Sequence, residues 1–126
     1  MEKLIIESTL NSPGVLLDPV ENKFEFSGES RPENVRNFYM PILDWLERFG
    51  AGEKAPVTFS FNLEYFNSTS AKYILDIFKV LRTIHDAGNG VTVQWHYEAD
   101  DEDMYEVGVE MARMSGLTFD YVKVEE

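Results

Sequence analysis

A run of strict alternation that passes directly into an amphipathic helix limits this chain's fold more than any other feature. Val57, Phe59, Phe61, Leu63 and Tyr65 are apolar, and Thr58, Ser60, Asn62 and Glu64 between them are polar. A period of two is what a strand with one buried and one wet face requires. Tyr73, Ile74, Ile77, Phe78, Leu81 and Ile84 then recur at helical spacing, so extended backbone gives way to a helix within a few residues. Asn67, Ser68, Thr69 and Ser70 occupy the junction. Such short polar side chains favour helix starts, and Ser70 or Thr69 is the expected N-cap. A helix start gathers unpaired backbone N–H groups and the positive end of the helix dipole, so this corner favours a negatively charged group.

The remaining composition narrows the function classes. A chain of 126 residues buries about two-thirds of its unfolded surface in one core, and residues 1–126 are expected to form a single domain. With 23 acidic against 11 basic residues, the net charge is −12. That balance opposes nucleic acid and anionic membrane as partners, because both demand a surplus of Lys and Arg. The absence of cysteine removes disulfides, thiol nucleophiles and thiolate metal sites. No apolar run reaches the length of a membrane span, and Met1 to Glu7 is too short and too acidic for a signal peptide, so a cytoplasmic location is expected.

Upstream, Leu4-Ile5-Ile6, Val15-Leu16-Leu17 and Lys23-Phe24-Glu25-Phe26 are separated by Asn11-Ser12-Pro13-Gly14 and Asp18-Pro19-Val20-Glu21-Asn22. These breaks predict two or three short strands, the last two forming a hairpin. Ser27 to Glu33 is expected to open a helix, with Ser30 or Arg31 near the cap and Pro32 in the first turn. Its buried stripe is Val35, Phe38, Tyr39, Ile42, Leu46 and Phe49, with Pro41 kinking one helix and Gly50-Ala51-Gly52 ending it. Downstream, Val91 to Tyr97 alternates as a second central strand. Asp100, Asp101, Glu102 and Asp103 precede a third helix on Met104, Val107, Gly108, Met111 and Met114, where their charges suit the helix start. Phe119 to Val124 predicts a last strand, and Glu125-Glu126 a solvated end.

A hairpin followed by alternating helix and strand predicts an α/β fold whose later strands are parallel. Parallel strands covered on both faces read as continuous apolar runs, whereas those from Val57 and Val91 alternate. The helices are therefore expected mainly on one face. The reading is a mixed sheet of four to five strands with about three helices.

Asn67-Ser68-Thr69-Ser70-Ala71-Lys72 resembles the SiaC family of bacterial regulatory phosphoproteins, whose pattern is close to N-T-S-S-x-K. Gly28-Glu29-Ser30-Arg31-Pro32-Glu33-Asn34, Asp44-Trp45-Leu46-Glu47 and Trp95-His96-Tyr97-Glu98 running into Asp101-Glu102-Asp103-Met104 extend the resemblance along most of the chain. It implies a STAS-like fold, similar to anti-sigma-factor antagonists, and a place in a partner-switching circuit. In that family a GHKL-type kinase phosphorylates the hydroxyl after the Asn, and a PPM-type phosphatase removes the phosphate. The unphosphorylated form binds and activates a diguanylate cyclase, whose cyclic di-GMP promotes aggregation and biofilm growth.

By this resemblance the acceptor is Ser68, with Thr69 as the alternative, and Asn67, Ser70 and Lys72 form its surroundings. The family's usual order is Thr then Ser, here reversed. The Asp-Ser-x-Gly motif of ordinary STAS antagonists is absent, with Asn67 in place of the Asp and Ser70 in place of the Gly. A phosphate would add about −1.5 to −2 charge at a helix start, with Lys72 one turn on as a positive neighbour.

On pattern alone these residues also suit an ordinary capped loop. His85 and His96 have no spacing that makes a metal or catalytic pair, and no triad or phosphate-binding glycine loop can be assembled. No cofactor or enzymatic activity is expected. The competing reading is a small-ligand sensor with a pocket at the helix-bearing end of the sheet.

Overall fold

The computed structural model describes residues 1–52 and 54–125. Six strands and three helices follow in the order β1 (Leu4–Ile6), β2 (Gly14–Asp18), β3 (Lys23–Ser30), α1 (Val35–Gly50), β4 (Val57–Phe66), α2 (Ser68–Asp86), β5 (Val91–Glu98), α3 (Glu102–Ser115) and β6 (Phe119–Val124). The strands lie side by side in chain order in one sheet. β1, β2 and β3 pair antiparallel, and β3 to β6 run parallel. The sheet has six strands, more than the four to five expected, because three-residue β1 adds an edge. Glu126, expected at the solvated end, lies outside the described residues.

The sequential order explains where the helices go. Each right-handed crossover from β3 onward steps one strand in the same direction, so every connecting helix lands on the same face. That face is buried: Val15, Leu17, Phe24, Phe26, Val57, Phe59, Phe61, Leu63, Val91, Val93, Trp95 and Phe119 meet Tyr39, Ile42, Trp45 and Leu46 from α1 and Ile74, Ile77, Phe78 and Leu81 from α2. Phe26 stacks on Phe61 with ring centres 4.5 Å apart, and Phe61, Phe78, Trp95 and Phe119 continue the aromatic layer. Thr58, Asn62, Glu64 and Asp120 point into solvent on the opposite, helix-free face.

α3 seats against β5 through one position. A Cβ on Gly108 would lie 2.5 Å from the Trp95 indole, so only glycine allows this approach. The same indole Nε1 donates to the Met104 carbonyl at 3.0 Å. Met104 and Met111 are core as expected, whereas Met114 is 45% exposed. It follows Met111 by only three residues and falls on the outer side of the apolar stripe.

Two departures lie near the C-terminal end of the parallel strands. Ser27 to Ser30 extend β3 rather than opening a helix, and α1 begins only at Val35, capped by the Asn34 side chain accepting from the Asn37 N–H at 3.1 Å. Pro41 lies inside this single helix. The alternation of β4 also breaks. Gly28 pairs with Leu63 but Glu29 pairs with Tyr65, so Glu64 is an extra, bulged residue that reverses which face the following side chains take. Tyr65, expected on the buried side, is 48% exposed. Phe66 turns inward instead, edge-on to Trp95 at 6.3 Å.

Candidate functional site

The parallel strands end at an edge where three helices begin. Each helix is capped in the same way, by an Asn or Asp side chain that accepts the N–H three residues on: Asn34 from Asn37, Asn67 from Ser70 at 2.9 Å, and Asp101 from Met104 at 3.0 Å. The cap of α2 is thus Asn67 and not Thr69 or Ser70. Its amide competes better because Ser70 is engaged elsewhere. Asn67 itself is held by its N–H donating to the Ser30 carbonyl at 3.1 Å, across the end of β3.

Ser68 and Thr69 follow as the first and second residues of α2, and both are exposed. Their backbone N–H groups precede the first intrahelical bond, which Ala71 makes to the Asn67 carbonyl at 2.9 Å, so helix geometry leaves them without intrahelical partners. Lys72 is exposed and four residues beyond Ser68, the spacing that places two side chains on one helix face. Asn67, Ser68, Thr69 and Lys72 therefore share one accessible corner. No residue in the first turn of α2 is acidic, so the positive helix start there meets no side-chain anion of its own.

Ser70 belongs to a different environment. It is 0% exposed, and the Ser30 hydroxyl donates to its Oγ at 2.9 Å. Ser30 Oγ also hydrogen-bonds the Tyr39 hydroxyl, and Ser30 and Tyr39 are likewise fully buried. Burial pushes the Tyr39 phenol above its ordinary value, with its serine neighbours opposing part of that rise. Tyr39 stacks on Tyr73 of α2 with ring centres 5.6 Å apart. A chain of three buried hydroxyls thus joins β3, α1 and α2 directly beneath the exposed corner. Sequence reasoning included Ser70 but missed Ser30 and Tyr39. The available signal was the polar Ser30 at an even spacing from Phe24 and Phe26, on the inward side of the strand.

A cleft of about 400 Å³, lined by residues including Phe24, Phe49, Val57 and Asn89, lies at the opposite edge. β4 separates it from the corner by its full length, about 30 Å at the rise of a strand. This is not where the sensor reading expects its pocket.

A one-sided sheet backed by three helices, with exposed hydroxyls on a capped helix start, places the chain in the class of small single-sheet α/β proteins. The family described as SiaC family regulatory phosphoprotein matches residues 6–124, and the chain belongs to that family. It is 32% identical over 119 residues to an uncharacterised protein of Pseudomonas aeruginosa, covering 94% of both chains. Its fold is similar to SiaC of Pseudomonas aeruginosa, with a TM-score of 0.85 and 28% identity over the whole of both chains. A further match is to the crystal structure of the diguanylate cyclase SiaD in complex with its activator SiaC from the same organism. There the TM-score is 0.86 and the identity 28%, covering 98% of this chain and 99% of that one.

Proposed function

We propose that this protein is a non-enzymatic cytoplasmic switch whose unmodified form binds and activates a diguanylate cyclase-type effector, and whose phosphorylated form releases it. The acceptor is Ser68, with Thr69 as the alternative, and a GHKL-type kinase and a PPM-type phosphatase set its state. The observation that carries this reading is the exposed Ser68 hydroxyl on a helix start without an acidic residue. The full-length similarity to a cyclase activator supports the effector class.

The physical effect is one of surface charge. A phosphate on Ser68 gains hydrogen bonds from the free first-turn N–H groups and attraction from Lys72, so the fold is retained. A partner that packs apolar atoms or carboxylates against the same corner loses affinity through desolvation and like-charge repulsion. Couplings of this kind weaken binding by about fivefold to 150-fold. Ser68→Ala is expected to co-purify with the effector constitutively from the source bacterium, and Ser68→Asp to recover much less of it. Equal recovery of the effector by the two variants would refute the reading. Intact mass of the protein from its native cell, with the added phosphate mapped to Asn67–Ser70, tests the modification independently.

A further inference from the structure

The buried hydroxyls beneath the corner do not touch solvent, so no partner reads them directly. Core positions of that size are commonly filled by Ala or Phe, which need no hydrogen-bond partner. A fully satisfied polar network differs from apolar packing by fixing one arrangement among several. Here the arrangement fixed is the rotational phase of the first turn of α2. Ser70 is held at both ends: its N–H by Asn67 Oδ1 at 2.9 Å and its Oγ by the Ser30 hydroxyl at 2.9 Å. Tyr39 grips the same helix one turn further on, through its stack with Tyr73.

Helical geometry converts this inward anchor into an outward one. With about 3.6 residues per turn, successive side chains are separated by about 100°. Ser68 therefore projects about 200° from Ser70, nearly opposite the core, and Thr69 about 100° from it, along the flank.

Resting on the phosphorylation reading above, we infer that Ser30, Tyr39 and Ser70 are positioning residues that select Ser68 over Thr69 as the phosphate acceptor. The modifying reaction forms a bond from Oγ to the γ-phosphorus of ATP as the bond to the bridging oxygen of ADP breaks. The hydroxyl proton passes to a base on the kinase. A hydroxyl held facing away from the core meets an approach from that side in line, whereas the one on the flank, though also exposed, lies about 100° off that line unless the turn rotates. Releasing Ser70 permits that rotation and raises the share of Thr69.

The test is site-resolved phosphopeptide mass spectrometry of tagged protein expressed in the source bacterium, with fragment ions that separate Ser68 from Thr69. Wild type is expected to carry phosphate predominantly on Ser68. Tyr39→Phe keeps the ring and its stack but removes one hydroxyl, and Ser70→Ala removes the tether itself. Each is expected to lower the Ser68:Thr69 ratio by about fivefold, the factor associated with one net hydrogen bond. Val91→Ala, at the far edge of the sheet, supplies a similarly destabilised control whose ratio stays at the wild-type value. Wild-type protein with no phosphate between Asn67 and Ser70 overturns the switch reading and this inference with it. Wild-type phosphate on Ser68 with an unchanged ratio in Tyr39→Phe and Ser70→Ala leaves the switch standing and overturns the selection. A ratio that falls equally in Val91→Ala also overturns it, because the effect then follows stability alone.

Discussion

The starts of α2 and α3 lie at the same edge of the sheet and are built on the same plan, yet they differ in charge. Both are capped by an Asn or Asp side chain accepting the N–H three residues on. α3 carries Glu102 and Asp103 in its first turn, so permanent anions answer its dipole. α2 has none, and presents Ser68 and Thr69 there instead. α1 also lacks a first-turn acid, but its opening Val35-Arg36-Asn37 offers no hydroxyl. Among the described residues, only α2 combines a helix start without an acid and a hydroxyl in its first turn. On the proposed reading the corner is made by omission: the charge supplied permanently at α3 is left at α2 for phosphorylation to add.

The comparison holds only if α3 is fixed in place, and Gly108 tests that most severely. Gly108→Ala drives a methyl group into the Trp95 indole, and overpacking of this kind destabilises by about 1–3 kcal/mol. Urea denaturation is expected to show a lower midpoint with an unchanged slope. Wild-type stability would mean that α3 rides loosely on the sheet and that its acidic start is no fair reference for α2.

Removing the caps sharpens the likeness. Asn67→Ala and Asp101→Ala are each expected to destabilise by about 1 kcal/mol, the ordinary value of an N-cap. Thermal denaturation of the two variants should give similar losses. A much smaller loss for Asn67→Ala would mean that its backbone bond to Ser30, rather than its side chain, secures the corner.

The features that repeat along the chain were legible in the sequence, and those that depend on a distant partner were not. Alternation from Val57 to Leu63 located β4, and alternation in both central strands placed the helices on one face, because each residue's side is a local property. The bulge at Glu64 was not local. It exists in the register against Gly28 and Glu29, so the pattern assigned Tyr65 to the core and left Phe66 unassigned. The start of α1 failed for a related reason. Ser30 and Pro32 carry genuine helix-start signals, but the Ser30 hydroxyl is committed to Tyr39 and Ser70 from other elements. At the corner itself, Ser68, Thr69 and Lys72 lie on the surface as the motif suggested. Ser70 is chemically identical to Ser68, and its burial is set by helix phase rather than by composition.

Charge exchange probes the difference between the two starts directly. Ser68→Glu adds a carboxylate where α2 has none, and is expected to stabilise by about 0.3–1 kcal/mol at low ionic strength. Glu102→Gln removes one from α3, and is expected to destabilise by a similar amount. Both effects should shrink as salt is raised, since exposed charges are screened. Two variants shifting in the same direction would break the comparison.

The smallest effect separates the corner from the open face of the sheet. His96 lies half-buried on that face, with Nε2 3.0 Å from the Ser60 hydroxyl, and burial holds its pKa below the ordinary 6.5. A histidine with a depressed folded pKa binds more protons unfolded than folded. Its contribution is therefore intact above 6.5 and erodes as the pH falls from there through the folded value. Phosphoserine takes up its second proton at about pH 6, in the same window. On α2 the positive helix start favours the dianion, so the stability added by phosphate is also present above that pH and lost below it. His96→Gln is expected to flatten the acid slope of the unmodified protein while leaving the extra slope of the phosphorylated form. Thermal melts of both forms of His96→Gln, from about pH 5 to 8, would measure that extra slope alone. If the two forms melt in parallel across this range, the phosphate does not draw on the start of α2, and the distinction between α2 and α3 loses its electrostatic basis.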